Sequence, residues 1–271
     1  MISKISKEIR TEIEPIAMLF SDTKPDKSIQ IKSEKWVCAM NLIAMAAKGK
    51  TVVFDKKSCG CVGAGTGFGF GNQYKQFPGG EECSYYFFSV GNKEWEDGRN
   101  QIIEYNVHDQ DDFSQGVGFL KTPLHAKEYI KNLPIKDIGD KYIIFKPLSQ
   151  VELEHEEPSI ITFFLNQDQL SVMVTMANYE RYDSEGTIIP CCSGCQAIGI
   201  YAMDQLKEKN PKAVVGMVDP TARLFLKKHF KKDYLTFSVP YQLYNQMEHN
   251  VEGSLLEKAA WKKLSSMSSE N

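Results

Sequence analysis

Seven cysteines carry the most evident chemistry of the chain: Cys38, Cys59, Cys61, Cys83, Cys191, Cys192 and Cys195. Five of them fall in two tight groups, Cys59-Gly-Cys61 and Cys191-Cys-Ser-Gly-Cys195. Without an export signal, such grouping points to metal binding or redox chemistry more readily than to structural disulfides. Cys192 and Cys195 have the C-x-x-C spacing that suits either a redox dithiol or two ligands of one metal. Cys195 leads into Gln-Ala-Ile-Gly-Ile-Tyr-Ala-Met, and Cys38 into Ala-Met-Asn-Leu-Ile-Ala-Met-Ala; both segments read as helices. At a helix start the positive dipole end favours the thiolate, so both thiols are expected to be good ligands or nucleophiles. The alternative is packing, since free cysteine also fills cores as a small apolar residue. Cys83, beside a run of aromatics, fits that description equally well.

Six glycines lie between Gly60 and Gly71. Such a backbone can approach a ligand closely and present N–H groups to an anion or a cluster sulfide. Gly63, Gly65 and Gly67, just beyond Cys61, are the expected ligand-binding positions; a tightly packed connection is the structural alternative. No G-x-G-x-x-G can be written in the stretch. Gly49-Lys50-Thr51 resembles the end of a phosphate loop, but Ala44 stands where its first glycine belongs. Arg223, one of only four arginines, could clamp a carboxylate or phosphate bidentately or form a structural ion pair. The five histidines have no metal spacing with a cysteine. His108-Asp-Gln-Asp-Asp112 reads as a solvated acidic loop, because the calcium-loop pattern is missing. There is no G-x-S-x-G nucleophile elbow.

The elements that must position these residues recur. Glu14-Pro15-Ile-Ala-Met-Leu-Phe-Ser is matched by Glu157-Pro158-Ser-Ile-Ile-Thr-Phe-Phe, and the Cys38 helix by the Cys195 helix. Lys50-Thr-Val-Val-Phe-Asp parallels Lys212-Ala-Val-Val-Gly-Met, and Tyr85-Tyr-Phe-Phe-Ser-Val-Gly parallels Tyr234-Leu-Thr-Phe-Ser-Val-Pro. Four blocks in one order suggest two pseudo-repeated strand–helix–strand halves, about 10–120 and 150–240. The expected fold is α/β, with α+β also compatible: one compact mixed-sheet unit spanning 1–271. Thr122-Pro123 marks a helix start between the halves, and Lys141–Leu148 a further strand. The tail 241–271 is helical in pattern, with Trp261 as its apolar anchor.

With 42% hydrophobic and 25% charged residues, the 271-residue chain has the balance of a soluble globular protein. A net charge of −3 and so few arginines argue against a nucleic-acid partner. The charged start MISKISKEIRTEIE has no apolar h-region, and no stretch reads as a membrane span, so a cytoplasmic protein is expected.

Cys38 at a helix start, the Cys61-Val-Gly63 run after the next strand, Cys195 at the second helix start, and Gly216-x-x-x-Pro220-x-x-Arg223 followed by Tyr234-Leu-x-Phe-x-Val-Pro240 form a larger pattern. It resembles the broad prokaryotic family catalogued as domain of unknown function 169, over roughly Pro15 to Pro240. The resemblance implies an arrangement of cysteines and a cytoplasmic setting, and no particular reaction. In the family pattern the glycine before Pro-x-x-Arg is followed by another cysteine; here that position is Met217.

The functional expectation is a metal-thiolate or iron–sulfur protein with a redox role. Cys38, Cys61 and Cys195 would be ligands, with Cys59, Cys191 or Cys192 as the fourth, around an iron–sulfur cluster or zinc. The departure at Met217 leaves a second option, that this member has lost the cluster. Two other classes compete: a thiol-dependent enzyme using Cys192 and Cys195, and a non-catalytic protein holding a small anion with the glycine run and Arg223. The partner is a small-molecule ligand or a redox protein, and an oligomer is compatible with all three readings.

Overall fold

Near-continuous apolar runs build the central strands at 16–21 and 160–165. The structure, a computed structural model, describes residues 3–32, 37–104 and 111–267. The chain runs from α1 (Lys4–Glu8) through β1 (Ile16–Ser21), β2 (Ile29–Gln30), α2 (Met40–Ala47), β3 (Val52–Phe54) and α3 (Val62–Gly67). Between Gly71 and Asp137 it forms a separate compact unit of α4 (Glu81–Phe87), α5 (Glu96–Glu104), α6 (Asp111–Gln115) and α7 (Pro123–Lys131). It resumes with β4 (Tyr142–Pro147), β5 (Ile160–Leu165), α8 (Gln167–Ala177) and β6 (Thr187–Ile188). A continuous helical run follows: α9 (Gly194–Gln196), a π-helical turn (Ala197–Tyr201) and α10 (Ala202–Asp204). Last come β7 (Ala213–Gly216), α11 (Pro220–Lys227), β8 (Leu235–Pro240), α12 (Tyr241–His249) and α13 (Ala259–Met267).

Among the described residues the strands form one eight-stranded mixed sheet, ordered β2-β3-β4-β1-β5-β8-β7-β6, so the protein is α/β. The outermost pair on each side is parallel and every inner pair antiparallel. The order is mirrored about the β1–β5 pair, and the register matches on both sides: Ile16 stands opposite Pro147, and Ile160 opposite Pro240. The two edge strands are two residues long, which leaves little ladder for another chain to extend.

Both faces of the sheet are covered, as an α/β sheet requires. Ile16 and Met18 of β1 point to one face with Val52, Phe54, Ile143 and Phe145, under α2, α3, the 194–204 run and α11. Ala17 and Leu19 point to the other face with Ile161, Phe163 and Val239, under α1, α8, α12 and α13. On the first face Phe54, Phe68 and Phe145 pack with centroids 4.6–6.0 Å apart. Each such buried side chain stabilises the fold by roughly 1.5–3 kcal/mol. Trp261 is 4% exposed and donates from Nε1 to the Glu8 carbonyl at 3.0 Å, so it anchors the tail as its apolar face suggests.

Three of the four matched sequence blocks fall on mirrored positions of the sheet: β1 with β5, α2 with the 194–204 run, and β3 with β7. The fourth does not. Tyr85–Phe87 ends helix α4 instead of forming a strand, and the strand placed like β8 is β4. The helix is favoured by the Gly79-Gly80 turn, where both glycines have φ near +80 to +89°, and by Glu81 and Glu82 in its first turn. In that unit Phe77 stacks on Phe113 at 5.7 Å, and Tyr86 on Trp95 at 4.7 Å. Thr122 caps α7 with Pro123 at its first position, as its sequence indicates. Most of the His108–Asp112 loop lies outside the described residues. Among the described residues, no helix is long and apolar enough to cross a membrane.

Candidate functional site

The cysteines gather on the face of the sheet that carries α2 and α3. Cys38 precedes α2, and the Met40 amide favours its thiolate form. Asn41 reaches back to the Cys38 carbonyl through both its N–H and its Nδ2 group, and its Oδ1 meets His229 Nε2 at 2.9 Å. The 59–61 turn is fastened to this segment by Val37, whose N–H donates to the Gly60 carbonyl at 3.2 Å. Gly60 has φ +88°, and a Cβ there would stand 2.3 Å from the Val37 oxygen, so only glycine permits the approach. Asp55 shapes the same turn by accepting from the Lys57 and Ser58 amides and the Ser58 hydroxyl, all within 2.8 Å.

Cys61 caps α3, with its sulfur accepting from the Ala64 N–H at 3.3 Å. Glycines 63, 65 and 67 therefore lie inside a helix rather than in an open loop. The reason is the next layer. A Cβ at Gly199 would stand 1.9 Å from the Gly67 carbonyl oxygen, and one at Gly67 would stand 2.9 Å from the Gln196 nitrogen. Helix α3 and the 194–204 run thus lie backbone against backbone, a spacing only glycine allows. The π-helical turn sits at this contact; such turns are rare and frequent at functional sites. The close approach carries Cys195 to α3, where its thiol donates to the Gly63 carbonyl at 3.5 Å. Ser193 and Gln196 form a capping box on α9, and Ser193 Oγ lies 3.5 Å from the Cys195 sulfur.

Three thiols from three segments, Cys38, Cys61 and Cys195, are thereby brought within electrostatic reach of one another. Burial, then Cys61 and Asp219, push the Cys38 thiol up to about 12 against the pull of the Met40 amide. Burial likewise raises Cys61, against the Ala64 and Gly63 N–H groups, and holds Cys195 well above the usual thiol range, with Cys61, Cys38 and Asp219 adding to it. Cys59 is pushed up to about 11 by burial and by Cys61, and Cys192 is raised by burial, Cys191 and Asp219. Against the dipole effect expected at helix starts, desolvation outweighs the few N–H donors and pushes these thiols up. Among the described residues, no group of three or more His, Cys, Asp or Glu side chains stands ready to hold a metal ion.

The remaining predicted residues divide. Cys192 is 6% exposed, whereas its neighbour Cys191 is exposed. Gly65 is buried in α3 and donates to the Cys61 carbonyl at 2.9 Å. Arg223 is engaged elsewhere, donating to Asp233 Oδ1 at 3.0 Å and to the Met217 carbonyl at 3.3 Å. Asp219 and Met40, which the sequence did not single out, belong here beside Met217. Asp219, 6% exposed, caps α11 and acts on Cys38, Cys192 and Cys195; its Asp-Pro pair was the available signal. Met40 and Met217 pack in the same cluster. A separate cleft of about 770 Å³, lined by Phe20, Ser21, His155, Glu157, Tyr241 and Asn245 among others, includes none of the cysteines.

The family model described as uncharacterised ArCR, DUF169, matches residues 4–250. No curated protein and no solved structure matches the chain. With nearly all of its length matched, the chain belongs to the DUF169 family.

Proposed function

We propose that the protein is a metal–thiolate protein with a redox role, its centre held by Cys38, Cys61 and Cys195. The observation that carries this reading is their convergence: three thiols on three separate segments, two of them served by backbone N–H groups aimed at sulfur. Mutually repelling thiolates beside the buried Asp219 gain from a cation between them, and binding it would release the thiol protons to solvent. The donor set suits zinc or an iron–sulfur cluster by softness. When bound, such a centre supplies a redox-active or structural metal. This chain's part is to exclude water and to aim N–H groups at the sulfurs, the levers that set a reduction potential.

The competing readings have less support. Activated-thiol catalysis by Cys192 and Cys195 requires thiolate, and burial raises both thiols. Anion capture requires a guanidinium that here serves Asp233 and a carbonyl. The test is anaerobic purification with metal analysis and a visible spectrum. Bound metal that is lost in Cys61→Ser and Cys195→Ser supports the reading. Colourless, metal-free protein that also fails to take up added zinc or iron ends it.

A further inference from the structure

We infer that the cleft beside the end of β1 is a docking site for an extended basic segment of a partner protein, which adds as a strand to the open side of β1. The β1–β5 ladder covers only Ile16, Ala17 and Met18, whereas β1 pairs with β4 as far as Ser21. The N–H and C=O of a strand residue point to one side, and the sides alternate along the strand. The Pro15 carbonyl accepts from Leu148 on the β4 side, and the Met18 carbonyl accepts from Ser159 on the β5 side. By that alternation the N–H and C=O of Phe20 also point to the β5 side, beyond the last paired residue. There the cleft of about 770 Å³ opens, lined by Phe20, Pro158, Ser159 and Tyr241 among others. A hollow of about 430 Å³ continues it past Leu153 and Glu154, sharing Glu157 and Tyr241 with it. The two form a trough, the shape of a chain segment.

The charge of the trough is negative. Lys146, 9% exposed, donates to both oxygens of Glu156 at 2.6 and 2.5 Å and neutralises it. Glu154 and Glu157 are exposed and have no ion-pair partner among the described residues. Carboxylates repel phosphate polymers and anionic headgroups and attract lysine or arginine, while an open main-chain N–H and C=O suit another polypeptide backbone. At the mirrored corner of the sheet the chain supplies such a segment itself. Ser6 and Lys7 of α1 line the remaining cavity there with Pro15, Leu148 and Ser149, and Ile5 and Ile9 are buried. That covering segment sets Lys4, Lys7 and Arg10 among its isoleucines, the same mix of cations and apolar residues that the open cleft favours.

The test follows the fluorescence anisotropy of a labelled, alternating lysine–valine peptide added to the full chain, with a glutamate–valine peptide and spermidine as comparisons. The expected result is saturable binding of the lysine peptide, weakened by salt, and no binding of the glutamate peptide. Glu157→Lys changes an exposed side chain and sets like charges against each other, so it should weaken binding by at least about tenfold. A lysine peptide N-methylated at alternate residues should bind in one of its two phases and fail in the other. The Phe20 amide should exchange more slowly with deuterium when the unmethylated peptide is bound. Equal binding in Glu157→Lys, or equal binding of the glutamate peptide, overturns the site. Binding that ignores N-methylation and leaves the Phe20 amide unchanged overturns strand addition. Spermidine held as tightly as the peptide makes this a small-amine site and overturns the peptide partner. No binding of the lysine peptide ends the proposal. The cleft includes none of the cysteines, so each outcome is independent of the metal–thiolate reading.

Discussion

Gly199→Ala sets two physical effects of opposite sign against each other. By helix propensity alone, replacing glycine with alanine within a helix stabilises by about 1 kcal/mol. The structure places the new methyl 1.9 Å from the Gly67 carbonyl oxygen, 2.9 Å from its carbon and 3.2 Å from Phe68 Cδ1. Carbon and oxygen approach no closer than about 3.3 Å without cost, so the two backbones must part by roughly 1.4 Å. Overpacking of a filled core costs about 1–3 kcal/mol, and the upper end applies because the obstacle is backbone. A loss of about 3 kcal/mol corresponds to a fall in Tm of roughly 6–12 °C at this chain length. The assay is thermal unfolding by circular dichroism, with Gly49→Ala as control. That glycine has φ +94° and open space around it, so the control should show only the small cost of backbone strain, about 1 kcal/mol. A second readout follows Cys195, whose alkylation under native conditions should accelerate as α3 and the 194–204 run separate. A Gly199→Ala protein as stable as the wild type, with Cys195 still protected, would refute the backbone-to-backbone contact.

Three further outcomes are expected. His229 is held below its usual value of 6.5 by burial and by the Lys48 and Lys228 charges, so the unfolded chain binds its proton more readily. Stability should therefore be lost as pH falls below about 6.5, and His229→Gln should flatten that part of a urea-midpoint profile; an unchanged slope rejects it. Asp219→Asn keeps an N-cap of equal quality and removes one charge that raises Cys38, Cys192 and Cys195, so these thiols should alkylate at lower pH, read peptide by peptide by mass spectrometry. Trp261→Ala removes the buried anchor of the tail and should destabilise by about 3–5 kcal/mol in denaturant titration; a change below about 1 kcal/mol would mean that the tail is not part of the cooperative unit.

The local features of the fold were legible in the sequence because they depend on near neighbours along the chain. Short apolar runs after Glu14-Pro15 and Glu157-Pro158 marked β1 and β5, Thr122-Pro123 marked α7, and Trp261 marked the tail anchor. The cysteine groups and the scarcity of arginine were legible for the same reason. Where local patterns are ambiguous, the reading failed. The aromatic run at Tyr85 fits a strand or a helix equally, and the turn before it decided for the helix. The glycine run offered freedom on paper, yet contact with a second helix fixed three of its glycines inside α3.

What the tertiary structure alone decided is the chemistry of the thiols. Sequence placed Cys38 and Cys195 near helix starts, where a dipole favours the thiolate, and that effect is local. Whether it prevails depends on what packs around the sulfur from distant segments: Cys61 from α3, Asp219 from the turn before α11, and the apolar cluster that removes water from all of them. Desolvation and like-charge repulsion act through space, between residues more than a hundred positions apart, and at this site they exceed the pull of a few amide N–H groups.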